Sequence, residues 1–353
     1  MIAMADLATV LAALADHTHK PATAHELRAQ PGDIFGHPAL TALMQFAHGL
    51  GSRAEVDAAL PAIGPLVRAA DPFRGATIAL CCGTIVEWGA DAGGVFPHLL
   101  AVLPRHLALA RRAIARKGVA PAVLFDDDPE AARAAAGLTY LLLATMTVIC
   151  RRAAYRQALR ANAEIVEHVA ALRAAHREAG FVAQVLDLTD DMELIVLAPA
   201  EQKGFRVALE AVASNAHMFT LLQAALIDGG HLAGEPCDPE VVAVARGERP
   251  HERLLSDHAR FNFVTHSGLN TDGSLDGFSS LIGLPVEGTP AGIQRLDSVP
   301  ILLVGPNVLR SRAWDSNFFA GIHDALRSRA EVIEVLPAGQ VADWLGRVRQ
   351  SRR

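Results

Sequence analysis

Aromatic residues are scarce, at 5% of 353 positions, and there are only four cysteines. With so few rings, no core can rest on a handful of large side chains, so several elements must stack to bury enough area. The cysteines are Cys81, Cys82, Cys150 and Cys237, and no C-x-x-C pair exists among them. The pattern reads as reduced thiols of a cytosolic protein, and no disulfide is expected. Basic charge is not in excess: the formal net charge is −6, with a pI near 6.2. That balance argues against nucleic acid as a partner.

No basic segment precedes the first apolar stretch. "MIAMADLATVLAALADHTHK" therefore reads as an ordinary first helix rather than a secretory leader. No apolar run reaches the usual length of a membrane span. The nearest is "AAAGLTYLLLATMTVIC", Ala134 to Cys150, bounded by Arg133, Arg151 and Arg152. It reads as a buried core helix, with Leu141, Leu142, Leu143 and Met146 expected inside. These features predict a cytoplasmic chain with no membrane partner. Repeats of 30–45 residues are also missing, so a regular solenoid is not supported.

Complete catalytic and cofactor signatures are missing as well. The stretch "THSGLNTDGSLDG", residues 265–277, has the first glycine spacing of a P-loop, but Ser274 stands where lysine is needed. Gly277–Phe278–Ser279 begins a hydrolase elbow that fails at Leu281. No dinucleotide-type G-x-G-x-x-G is found there. Asn270–Thr271–Asp272–Gly273 is good turn chemistry, so the stretch reads first as a connection and second as a binding loop.

What is present is apolar and alanine-rich. Hydrophobic residues make up 51% of the chain and charged residues 20%, with mean hydropathy +0.24. This excludes disorder and suits one large core or two ordinary ones. The predicted fold class is α+β. Residues 1–180 read as an α-helical domain. Asp71–Pro72 and Asp128–Pro129 are helix starts, and residues 151–180 read as one amphipathic helix ended by Gly180. Residues 181–353 read as an α+β domain. Its parts are an antiparallel meander over 181–212, a linker over about 229–258, and a βαβ-type unit over 259–353. "FVAQVLDL", "MELIVLAP" and "GFRVALEAV" are the expected meander strands, and Ser214 caps the next helix. "RFNFV", "VPILLV" and "AEVIEVL" are the later strands, and "AWDSNFFAGIHDALRS" is the expected crossover helix.

The candidate ligand-binding residues are His217, His266, Asp272, Ser274, Arg310 and Arg312. His217 opens a helix after a strand. The loop residues follow a strand end, and the two arginines beyond "VPILLV" suit an anion or carboxylate. Asp187, Asp190, Asp191 and Glu193 crowd one turn, where they face water or meet a cation. Glu164, His168 and Asp126–Asp128 read as a solvated helix face and a capping run, and no metal site is assigned. No cofactor is indicated. Two readings follow. The first is a cytosolic binding or adaptor protein working through a protein partner or a small ligand. The second is an enzyme on a small anionic substrate in a cleft of the C-terminal half. They separate on whether His217, His266, Asp272 and Arg310 line one pocket.

Overall fold

Aspartate followed by proline starts helices where the sequence predicts. In the computed structural model, which describes residues 6–49, 53–116, 120–250, 259–260, 263–266, 268–275, 288–306, 313–314 and 322–351, the Asp71 carboxylate accepts from Phe73 and Arg74 N–H, and that of Asp128 from Ala131 N–H. Proline fits the first helical position because its missing N–H would have no intrahelical partner there. The chain divides into two units, Met1–Leu186 and Asp187–Arg353.

The first unit is helical: α1 (Leu7–His19), α2 (Pro31–Phe35), α3 (Pro38–Gly49), α4 (Arg53–Ala69), α5 (Pro72–Glu87), α6 (Phe96–Ile114), α7 (Pro121–Leu124), α8 (Pro129–Ile149), α9 (Ala153–Arg160), α10 (Ala163–Leu172) and α11 (Arg177–Leu186). Helix α8 packs against α5 and α6. Small residues set the approach to α5. A Cβ on Gly83 would stand 3.1 Å from Ala144 Cα, and one on Gly137 would stand 2.9 Å from Ala76 Cβ. Alanine and glycine thus replace bulk with proximity, which keeps the contact dense without large side chains. Helix α8 is long and apolar enough to cross a membrane, yet most of its apolar window is buried within the fold. Leu141 and Leu142 are buried as expected, whereas Leu143 and Met146 are only half-buried. Four such positions cannot share one face at 3.6 residues per turn, and 143 and 146 fall together on the outer side.

Residues 151–186 depart from expectation. The single helix is three, because Asn162 caps α10 through Ile165 N–H and because Gly180 lies inside α11 rather than ending it. Ile165 is buried on α10, whereas Val166 is exposed. "FVAQVLDL" is helix rather than strand: Ala179, Val182, Ala183 and Val185 are buried at helical spacing. The β-branched valines suggested a strand, and tertiary packing overrode them.

The second unit is built on a six-stranded mixed sheet. Its strands include β1 (Met192–Ala198), β2 (Lys203–Glu210), β4 (Phe263–His266), β5 (Arg295–Leu296), β6 (Val299–Pro306) and β8 (Arg329–Val335). A separate short pair joins β3 (Ala259–Arg260) to β7 (Ala313–Trp314). The order is β4-β6-β1-β2-β8, with β5 also on β6. Strands β1 and β6 are parallel, Ile195 opposite Ile301, and the other pairings in the sheet are antiparallel. The expected three-stranded meander is therefore the β1–β2 hairpin completed by β8, which comes from the far end of the chain. Strands β6 and β8 lie in the same sheet, with β1 and β2 between them. Within the expected crossover helix, Ala313–Trp314 is strand and residues 322–328 are not helical. Residues 315–321 lie outside the described residues.

One sheet face packs on α12 (Asn215–Gln223) and α13 (Pro239–Ala245), through Leu194, Val196, Phe205, Val207, Leu302, Phe219 and Val241. The other face packs on α14 (Ala338–Gln350), through Ile195, Leu197, Ile301, Leu303, Val341 and Leu345. Strands β1 and β6 are covered on both sides, which explains the unbroken apolar runs "LIVL" and "VPILLV". Away from α14 the same face carries charge: Arg206 Nε lies 3.0 Å from Glu334, its Nη1 lies 3.4 Å from Glu193, and Arg329 lies 2.7 Å from Glu210. Ladders of opposite charge on neighbouring strands suit a solvated sheet face.

Candidate functional site

The stretch after β4 folds as a hairpin that spends its polar groups on itself. Leu269 and Leu275 pair across it, and Asn270 N–H donates to Ser274 O at 2.8 Å. Gly273 N–H returns to Asn270 O, and Gly273 has φ +88. This is a type I turn closed by a left-handed glycine, the usual three-residue hairpin loop. The Asp272 carboxylate accepts from both the N–H and the hydroxyl of Ser274, and these bonds hold its pKa below the ordinary carboxylate value. Leu269 is buried in the α14-side core, and Leu275 packs against it. Leu269 and Leu275 anchor the loop, and Asn270, Thr271, Asp272 and Ser274 are exposed. Gly273→Ala is expected to cost about 1–2 kcal/mol in denaturant unfolding, since φ there is unfavourable for any Cβ. Asp272→Ala should cost less, because its carboxylate bonds only within the exposed turn.

The remaining predicted residues do not join it. His217 is fully buried on α12. Its Nε2–H donates to Ala245 O at 2.6 Å, and its Nδ1 accepts from Ala213 N–H at 3.1 Å. Burial pushes its pKa down to about 4. It faces no cleft; it ties α12 to α13. His266 lies opposite Leu303 on β4 and so points to the α14 side, whereas His217 sits beneath the other face. A six-stranded sheet separates the two. Arg310 and Arg312 lie outside the described residues.

A different place in this unit has the form of a site. A cleft of about 440 Å³ opens at the amino ends of β1 and β6. One wall is the turn into β1, with Asp190, Asp191 and Glu193. The opposite wall is the β5–β6 hairpin, with Arg295 and Ser298, and Arg206 of β2 adds a second guanidinium. The hairpin turns through Asp297 and Ser298, both with positive φ. Two left-handed residues in a two-residue loop match the twist of paired strands. Asp191 also has positive φ, at 52°, although it is not glycine. Such backbone costs of order 1–3 kcal/mol and persists only where neighbours impose it.

The charges in the cleft are not equally committed. Asp190 accepts from Ala211 N–H at 2.9 Å. Arg206 is shared between Glu193 and Glu334. Arg295 donates to Ser298 O at 3.1 Å and has no ion pair among the described residues. The Asp191 carboxylate has no hydrogen bond or ion pair among them. One wall therefore offers an available carboxylate and the other an available guanidinium. Among the lining side chains the nucleophilic groups are two hydroxyls, Thr189 and Ser298, and no histidine lines the cleft as a base.

The acidic turn was visible in sequence, and Asp190, Asp191 and Glu193 do reach the cleft, while Asp187 does not line it. Arg206 and Arg295 carried no signal. The cleft also lies at the amino ends of the parallel pair, opposite to the carboxyl-end crevice of open parallel sheets. No known protein family, curated protein or solved structure matches the chain, so its chemistry has to be read from these residues.

Proposed function

We propose that the chain is a cytosolic binding protein whose C-terminal unit holds a small zwitterion of the amino-acid class. The observation that carries this reading is the pairing of the available Asp191 carboxylate with the available Arg295 guanidinium across one cleft. An ammonium group suits the first and a carboxylate the second. A volume of about 440 Å³ falls within the range of small-ligand sites, roughly 300–1,000 Å³. Binding is favoured over catalysis because no hydroxyl in the cleft has a histidine beside it to act as base.

Isothermal titration of the full chain with leucine, aspartate, lysine and glycine tests this. At least one should bind. Asp191→Asn and Arg295→Met should each weaken binding about tenfold or more, as loss of one charge-assisted hydrogen bond of about 1.5–3 kcal/mol implies. Absence of binding by all four, or unchanged affinity in both variants, sinks the proposal. If 4-methylpentanoate, which is leucine without its amine, binds as tightly as leucine and Arg295→Met weakens it, the small-anion reading replaces it.

A further inference from the structure

The helical unit contains its own cavity, of about 240 Å³, where the end of α4, the start of α5, α6 and α8 meet. Its ionisable lining groups are Arg68, Asp71, Arg105 and His106. Asp71 is already occupied: its carboxylate accepts from Phe73, Arg74 and Ala22 N–H. Arg105 pairs with Glu130 at 2.7 Å, but both side chains are exposed. Such a pair contributes little and yields readily to a better partner. Arg68 has no ion pair among the described residues.

His106 defines the chemistry further. It is 4% exposed, and its Nε2 stands 2.8 Å from Ala134 O. A carbonyl only accepts, so Nε2 carries the proton. Burial keeps the ring neutral, with its pKa pushed down to about 4. Nδ1 is then an acceptor, with no hydrogen-bond partner among the described residues. The rest of the wall includes Leu109 and Leu141, which are apolar. A volume of about 240 Å³ admits a small molecule.

We infer that this cavity binds a small hydroxylated monocarboxylate with an apolar body. The carboxylate pairs with Arg68 and Arg105, the hydroxyl donates to His106 Nδ1, and the hydrocarbon lies against Leu109 and Leu141. The site is separate from the sheet-unit cleft and does not depend on the reading proposed for it.

Two probes isolate the inference: 2-hydroxy-4-methylpentanoate and 4-methylpentanoate, which differ by one hydroxyl. In calorimetric titration of the full chain, the hydroxylated compound should bind at least tenfold more tightly, because only its hydroxyl can donate to His106 Nδ1. Arg68→Met and Arg105→Met, both at exposed positions, should each weaken both probes by a similar factor. His106→Leu removes the acceptor together with the donor to Ala134 O, and should bring the ratio of the two affinities to about one while the weaker probe keeps its affinity. If that variant fails to fold, the ratio in the parent chain together with the arginine variants still decides. Asp191→Asn should leave both affinities unchanged, which separates this site from the cleft. Equal affinity for the two probes, no binding of either, or indifference to both arginine variants overturns the inference.

Discussion

Leu142→Ala is expected to lower the unfolding free energy by about 2–5 kcal/mol. Leu142 is fully buried on α8, the helix that both α5 and α6 pack against. Burying a leucine contributes about 1.5–3 kcal/mol by transfer alone, and the cavity left behind adds to the loss. Relaxation would normally recover part of that. Here it is limited, because Gly83 and Gly137 already hold the backbone of α8 close to that of α5. The helices cannot move further inward to fill the void, so the cost should fall in the upper part of the range. Leu143→Ala is the internal control. Its neighbour relation to Leu142 is immediate, yet it is half-buried on the outer side, and it should cost well under half as much. Urea unfolding of both variants checks the pair. Similar losses for the two, or a loss at Leu142 below about 1 kcal/mol, would contradict the buried-core reading of α8.

Helix starts were legible because capping is local. Asp71, Asp128 and Ser214 each lie within three residues of the amides they satisfy, so the spacing of the residues states the bond. "VPILLV" was legible because a strand covered on both faces has nowhere to place a polar side chain. The misreadings came where two periods fit equally well. "FVAQVLDL" has apolar residues compatible with either period, and only the packing of Ala179 and Val182 inside the helical unit decides between them. The cleft was legible in half. Its acids crowd one turn, but Arg295 is about a hundred residues away. What brings it to Asp191 is the parallel pairing of β1 with β6, and no local pattern encodes which strands become neighbours. His217 shows the converse. A histidine near a helix start after a strand looks the same in sequence whether it faces a ligand or a carbonyl. Only the carbonyl of Ala245 assigns it.

Acid should destabilise the fold well before most carboxylates titrate, and buried histidines are the reason. His106 and His217 are each held neutral, donating Nε2–H to a backbone carbonyl. His217 also accepts from Ala213 N–H through Nδ1, so a second proton there would remove a hydrogen bond as well as bury a charge. Both folded-state pKa values are pushed from 6.5 down to about 4, chiefly by burial. The sign follows from where the proton binds first. Above about pH 6.5 both rings are neutral in the folded and unfolded chains, and the stability they favour is fully present. As pH falls below that value the unfolded chain takes up protons while the folded chain does not, until about pH 4. Stability therefore declines across this window, by about 2 kcal/mol per histidine between pH 7.5 and 5, or roughly 4 kcal/mol for the pair. His17 adds in the same direction. It is buried, its ring centroid lies 4.1 Å from that of His37, and it lies beside Arg74, so a proton on it would join the guanidinium's charge. Its pKa too is pushed down to about 4, first by burial and then by those neighbours. Urea unfolding at pH 7.5, 6 and 5 reads the slope directly, and the His217→Asn variant should show a shallower slope than the parent chain. A stability that stays flat or rises between pH 7.5 and 5 would mean that these rings are not buried neutral donors, and the assignment of His106 as an acceptor in its cavity would fall with it.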